Sequence, residues 1–496
     1  MKVTVPCVRL SAIAILLGLL LSMVAISAQA QLPLVKLSND GFTNTYSQHH
    51  SEVEPHTFAV GSIIVSAFQV ARVFGGGGAD IGWATSINGG ATWSHGFLPG
   101  LTTNYGGGTF SAASDPAVAY DAKHGVWLIS SLPILSNGAP VSVAVSRSTD
   151  GIHWSKPIIV DNSGSDDKNW IVCDSTPTSP FYGNCYSEWD EPGLGDVIFM
   201  STSHDGGLTW SAGVTTADSA QGLGGQPLVQ PNGTVIVPYD GFGGMEAFRS
   251  TNGGANWSTS SLISFQQFRG EDGNLRSPGL PSAAVDGAGK IYVVWPDCRF
   301  RSGCSTDDIV MSTSTNGTTW TTPVRIPIDP VTSTVDHFIP GLGVDPNTSG
   351  STAHVAMTYY YYPVAACGNS CQLFVGYTSS NDGGNTWTAG KQVSNAMSLT
   401  WLPNSQNGLM VADYLAVAFS NGKPFGVFAV ATVPTLGKLN EAMYTTKTAL
   451  PSQFDEPVFS GKNDKPVPGV KGTYVWKYYD DDGEYPIPPS KQIRPR

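Results

Sequence analysis

The chain of 496 residues is only 13% charged, contains 57 glycines and has a formal charge of −12 at pH 7. Average globular proteins are about 25% charged, so this composition describes a turn-rich, weakly charged surface of the kind extracellular β proteins present. The negative balance argues against nucleic acid or an anionic membrane as a partner.

Residues 1–30 read as an export signal. Lys2 and Arg9 precede an apolar run from Ala12 to Ile26, and Ala28-Gln29-Ala30 forms a small-x-small cleavage site. The run is short for a transmembrane anchor. No later stretch approaches membrane length, and no cysteine stands at the cleavage point to take a lipid. The expectation is a monomer, secreted or periplasmic, with no membrane insertion.

Residues 31–450 carry one short pattern six times. Four copies have eight residues: Ser86-Ile-Asn-Gly-Gly-Ala-Thr-Trp93, Ser203-His-Asp-Gly-Gly-Leu-Thr-Trp210, Ser250-Thr-Asn-Gly-Gly-Ala-Asn-Trp257 and Ser380-Asn-Asp-Gly-Gly-Asn-Thr-Trp387. Two have seven: Ser148-Thr-Asp-Gly-Ile-His-Trp154 and Ser314-Thr-Asn-Gly-Thr-Thr-Trp320. Asp or Asn folds back on the backbone of a tight hairpin, Gly supplies positive φ, and Trp buries apolar surface against a neighbouring sheet. Successive tryptophans lie 61, 56, 47, 63 and 67 residues apart, a period that suits one four-stranded sheet per repeat. The expected fold is all-β, a β-propeller.

Each pattern is expected to join the third and fourth strands of a blade. First strands are read at 54–60, 115–120, 168–172, 226–229, 281–285 and 339–344, with second strands such as 63–68, 235–237 and 291–295. Third strands begin near Asp80, Asp196 and Asp308. Three further strands, 413–419, 424–430 and 440–445, follow the sixth pattern without a seventh copy. Leu34 to Ser38 is the candidate for the fourth strand of that last blade, pairing the chain ends and removing an open edge. Seven blades are therefore favoured, with six the alternative.

Once Cys7 leaves with the signal, six cysteines remain as three close pairs: Cys173 with Cys185, Cys298 with Cys304, and Cys367 with Cys371. An even count in an exported chain favours three local disulfides, each pinning a loop. The competing zinc reading lacks a histidine at ligand spacing. Neither a metal nor a cofactor is expected. Residues 451–496 turn proline-rich and charged, through Tyr478 to Glu484 and Pro486 to Pro489, and read as an extended tail.

The sixfold pattern resembles the Asp-box (BNR) repeat of the sialidase superfamily, where such boxes sit on the face away from the ligand. The resemblance implies a glycan or glycoconjugate partner and, in a catalytic member, three arginines on a substrate carboxylate, a tyrosine nucleophile paired with a glutamate, and an aspartate acid/base. Arginine suits the first task because its planar fork meets a carboxylate with two charge-assisted hydrogen bonds. Here the Arg-Ile-Pro position of the family holds Val53-Glu54-Pro55. Val70-Ala71-Arg72 is similar to the family's Asp-x-Arg, but glycines 75–78 replace the segment expected to bring the aspartate. Arg325-Ile-Pro327 follows a box directly and reads as an ordinary fourth strand.

On the expected ligand face the candidates for substrate binding are Arg72, Arg276, Arg299, Arg301, Tyr239, Asp240, Asp297 and Tyr359, with Trp189 and Tyr360 to Tyr362 as further aromatics. Tyr414 is the candidate nucleophile, and Glu188, Glu246 and Glu271 are the candidate carboxylate partners. The bland alternative is that the arginines pair with loop carboxylates such as Asp307. Two functions stay open: a secreted sialidase-like glycoside hydrolase acting on terminal acidic sugars, and a non-catalytic propeller binding glycan or protein. Carboxylates facing a tyrosine across an open pocket would favour the first. A pocket filled by its own side chains would favour the second.

Overall fold

The computed structural model describes residue 1 and residues 32–135, 141–452 and 457–472. Residues 2–30 of the expected export signal, Cys7 and the stretch Tyr478 to Pro489 lie outside the described residues. The described chain is all-β, apart from five short 3-10 turns. None of its helices is long and apolar enough to cross a membrane.

Antiparallel sheets follow one another in chain order, each built from neighbouring strands. The first comprises Glu52–Val60, Ile63–Arg72, Gly78–Ser86 and Ser94–Phe97, and the second Ala112–Asp121, Val126–Ile134, Val143–Ser148 and Ile158–Asp161. A single pair, Gly78 with Ala113, joins these two. Three more four-stranded sheets begin at Asp167–Cys173, Leu228–Val229 and Ser282–Val285. The sixth begins at Asp336–Val344. Second strands such as Ile291–Asp297 are buried along their whole length. Their continuous β-branched and aromatic sequence follows from being covered on both faces.

The last sheet lacks the serine-to-tryptophan pattern. Val417–Ser420 pairs with Lys423–Gly426, and Phe428–Ala431 continues the second strand onto Glu441–Thr446. The N-terminal strand Leu34–Lys36 then pairs antiparallel with Glu441–Thr446, with Val35 opposite Thr445. No hydrogen-bonded sheet closes on itself among the described residues. Packing links the sheets instead. Each first strand lies against the next, and Val417–Ser420 lies against Glu52–Val60.

All six patterns form the same turn. At Ser203 to Trp210, the serine hydroxyl donates to Asp205 Oδ1 at 2.9 Å and accepts from Gly207 N at 2.9 Å, while Asp205 Oδ1 also accepts from Leu208 N and Thr209 N. Burial alone would raise the Asp205 carboxyl, but the bonds from Thr209 and Ser203 hold it down at about 2. A turn glycine from each sheet packs on the sheet before it. Gly151 meets Val65, Gly207 meets Leu128, Gly317 meets Ile236, and Gly90 meets Phe425 of the last sheet. Trp154, Trp257 and Trp387 are buried, whereas Trp93, Trp210 and Trp320 are only partly covered.

All three expected cysteine pairs are bonded. One differs in setting from the loop expected for it. Cys173 and Cys185 are direct partners on the first two strands of the third sheet, so this bond staples a sheet. After residue 456 the chain is also more than a tail. Val458–Phe459 pairs with Trp387–Thr388, Asp464 reaches Arg325 at 3.4 Å, and Val467 N donates to Arg299 O at 2.8 Å.

Candidate functional site

Four first strands break register at the same point, and each break puts a non-glycine residue in the left-handed region: Glu54, Asp115, Lys168 and Ile339, with φ between 45° and 54°. A bulge of this kind re-aims one side chain out of the strand's alternation. Such strained residues persist only where their surroundings hold them. Because the first strands pack against one another, three of these side chains converge on the last sheet.

Lys168 Nζ contacts Asp115 Oδ2 at 3.1 Å and lies 3.5 Å from the centroid of the Tyr414 ring. Tyr414 donates its hydroxyl to Pro116 O at 3.2 Å, and its ring meets Trp170 edge-on at 5.1 Å. Arg276 grips Asp413 through Nε and Nη2, with the Nε bonds at 2.8 and 3.0 Å, and its Nη2 is 4.0 Å from Glu54. Gln69 donates to Glu54 and accepts from Arg72 Nη1 at 2.9 Å, which ties Arg72 to the same cluster. Tyr414 is 2% exposed, Arg276 3% and Lys168 4%.

Burial raises the Glu54 carboxyl well above the usual range, with Asp115 and Asp413 adding to the effect and Lys168 and Arg276 opposing it. For Lys168, burial would lower the ammonium, but Asp115, Glu54 and Asp413 more than compensate and raise it. Asp115, Asp413 and Glu54 thus stand among the cations Lys168, Arg276 and Arg72. The cluster then carries its own counter-charges.

Glu188 and Asp190 stand on Cys185–Glu191 beside this cluster, both fully buried, and neither carboxyl oxygen of Asp190 has a hydrogen-bond partner. Burial raises both carboxyls well above the usual range, with Lys168 opposing it at Glu188 and Asp167, Asp196 and Glu188 reinforcing it at Asp190.

The other sequence candidates share the end of the molecule where first strands begin and second strands finish, opposite the six turns, but they do not meet the cluster. Arg299 forks onto Asp297, with Nε to Oδ1 at 2.8 Å and Nη2 to Oδ2 at 2.6 Å. Arg301 pairs with Asp308 at 2.5 Å and Asp329 at 2.9 Å. Tyr239 donates to Glu246 at 2.8 Å, its direct cross-strand partner. Neighbouring Asp240 is buried, which pushes its carboxyl up to about 8. Glu271 joins Asp307 and Asp336, where burial and mutual repulsion raise its carboxyl well above the usual range. Trp189 and Tyr359 pack in the core.

Asp308, Asp329 and His337 offer three ligand atoms within 4.8 Å of one another. Arg301 and Arg325 already contact both carboxylates, so two guanidinium groups supply the charge a metal would bring. Arg325 itself lies on a fourth strand, Val324–Arg325, paired with Val310 and Met311.

The sequence reading treated Glu54, Asp115, Lys168 and Asp413 as strand starts and missed them as a cluster. A signal existed: aligned on their first strands, the repeats place Glu54 and Asp115 directly before a proline, with Lys168 at the same offset. Three ionisable residues at one offset in consecutive repeats mark one recurring position of the first strands.

No family model and no curated protein matches the sequence. Among solved structures, a protein of unknown function from Dyadobacter fermentans is similar at 17% identity, covering 71% of this chain and 98% of its own, with a TM-score of 0.44. A Hadza microbial sialidase is similar at 12% identity over 84% of this chain and 95% of its own, with a TM-score of 0.43. An ulvan lyase of polysaccharide lyase family 25 is similar at 11% identity over 84% and 96%, with a TM-score of 0.47.

Proposed function

We propose that this protein is an exported seven-bladed β-propeller that binds glycan at the end bearing the loops into the first strands, and does not hydrolyse it. Support for seven blades comes from the packing of Val417–Ser420 against Glu52–Val60, from the pairing of Leu34–Lys36 with Glu441–Thr446, and from the seat of Gly90 on Phe425.

The observation that carries the non-catalytic reading is the filled centre. Tyr414, Arg276 and Lys168 are almost fully buried and satisfied by Pro116 O, Asp413 and Asp115. An arginine that is 3% exposed and already forked onto a buried carboxylate presents little of its guanidinium to a substrate's carboxylate. A buried phenol bonded to a backbone carbonyl is not poised as a nucleophile. Binding instead suits the exposed rings of Tyr46, Phe74 and Tyr105, which are 44–50% exposed on loops at that end. Tyr46 is held in place by Asn104, which donates to its hydroxyl at 2.7 Å, and by its own bond to Ser111 O at 2.8 Å. A fixed, half-exposed ring offers an apolar face with a polar edge, which is what a sugar ring needs.

The second reading, a sialidase-like hydrolase of terminal acidic sugars, is favoured by one observation: the raised carboxyls of Glu54 and Glu188 flank Lys168 beside Tyr414. Perturbed acids of this kind gather at catalytic sites. A panel of fluorogenic sialosides and uronides, run alongside glycan-array binding on the mature chain, separates the two. The binding reading expects array signal without turnover and loss of that signal in Tyr46→Ala. Turnover that vanishes in Tyr414→Phe would overturn it in favour of the hydrolase.

A further inference from the structure

The seam made by the N-terminal strand contains two buried acids that none of the functional readings uses. Glu52, on the opening strand of the first sheet, and Glu441, on the third strand of the last sheet, are each 1% exposed. Both lie where the segment after Leu34–Lys36 crosses between those sheets. Ser38 donates its hydroxyl to Glu52 Oε2 at 2.5 Å and accepts from Met443 N at 2.8 Å, while Leu37 N donates to Met443 O at 2.8 Å. Glu441 is fixed through its backbone, N to His50 O at 3.0 Å, but neither of its carboxyl oxygens has a hydrogen-bond partner.

We propose that this seam is a pH-gated latch, holding the N-terminal strand on Glu441–Thr446 while Glu52 and Glu441 carry protons and loosening it when they ionise. The physical reason is the cost of a buried unpaired charge, several kcal/mol for a carboxylate without compensation. In the closed seam a second carboxylate would also face the first. Opening exposes both to water and removes that cost.

The charged and titratable groups around the pair do not cancel the effect. Lys36 favours the Glu52 carboxylate, but Asp40 opposes it, and Asp40 is itself engaged by His49 Nδ1 at 2.9 Å and by the His50 amide. Tyr444 and Tyr360 also face the pair and are phenols that burial raises further above their ordinary range. Burial, with Asp40 adding and Ser38 and Lys36 opposing, leaves Glu52 at about 7. Burial and the Glu52 charge raise Glu441 well above the usual carboxylate range. Both folded values lie above the unfolded one. The closed seam therefore holds extra protons above about pH 4.3 and loses that stabilisation as pH rises through about 7.

Hydrogen–deuterium exchange on the mature chain, corrected for intrinsic rates, tests this at residues 34–37 and 441–446. From pH 5.5 to 8.5 the opening constant there is expected to rise on the order of tenfold or more, while the turn at 203–210 changes little. Glu441→Gln and Glu52→Gln, which keep the shape but cannot ionise, should each reduce that rise. Equal protection of the wild-type seam at the two pH values would overturn the latch, and so would an undiminished rise in both variants. The wild-type comparison decides the matter even if one variant does not fold.

Discussion

Arg276 shows how much of this molecule's architecture rests on single buried charges. Its guanidinium joins a loop before the fifth sheet to Asp413 at the entry to the last, and approaches Glu54 on the first. Removing one member of a buried pair leaves the other uncompensated, at about 3 to 5 kcal/mol. Arg276→Ala should therefore lower the unfolding free energy by about that much, measured by urea denaturation, without regard to any ligand. A loss within error of zero would mean that the charges at this junction are solvated. Sequence reading placed Arg276 and Tyr414 at the same end of the molecule and was silent about what they touch. Asp413 lies 137 residues from Arg276, and pairing across that distance depends on how the sheets pack, which no local pattern encodes. Arg299 was easier. A loop carboxylate partner was weighed from the sequence, with Asp307 as the example, but the partner is Asp297, two residues away and itself a candidate for substrate binding.

Strands and turns follow local rules, and most of them were legible. The six serine-to-tryptophan turns form because one Asp or Asn side chain satisfies one or two of the turn's amides, and the strands flanking them show β-branched runs or alternation. The expected first strand 339–344 is observed as Asp336–Val344, and 291–295 as Ile291–Asp297. These extensions reach into segments where Asp and Pro made the sequence look like loop. What stayed hidden were the bulges at Glu54, Asp115, Lys168 and Ile339, since a single non-glycine residue in the left-handed region carries no mark of its own and the shared offset shows only once the repeats are aligned on their first strands. The setting of Cys173 and Cys185 was hidden for a related reason. A stretch rich in Pro, Ser and Gly separates them, but it is a long hairpin loop whose ends are already paired strands. Replacing both cysteines with alanine should cost about 3 kcal/mol in the chain-entropy model for a separation of 12 residues. A thermal melt matching the wild type would show that the hairpin is held without the bond.

Across the described residues the pattern is an excess of buried acids, and it sets the direction of pH dependence. Burial pushes Asp336 up to about 6, Asp80 and Asp240 to about 8, and Asp166 to about 9, with Glu191 and Asp161 adding to the effect at Asp166. Each folded value exceeds the unfolded one. The folded chain therefore binds more protons than the unfolded chain across neutral pH, and stability falls as pH rises. Buried His56 and His337 work in the opposite sense, because burial lowers both, His56 to about 3. Their stabilisation is present above about pH 6.5 and is lost as pH falls toward the folded value. Above that pH the histidines are neutral in both states and drop out, leaving the acids alone. The melting temperature should then decline by several degrees between pH 6.5 and 8.5. Below pH 6.5 the two sets oppose each other, and near pH 2 the turn carboxylate of Asp205 begins to lose its bonds as well. A calorimetric series from pH 4 to 9 should place maximum stability on the acid side of neutrality. A melting temperature that rises steadily up to pH 9 would mean that these carboxyls are ionised in the folded chain, each with water or a cation to meet it.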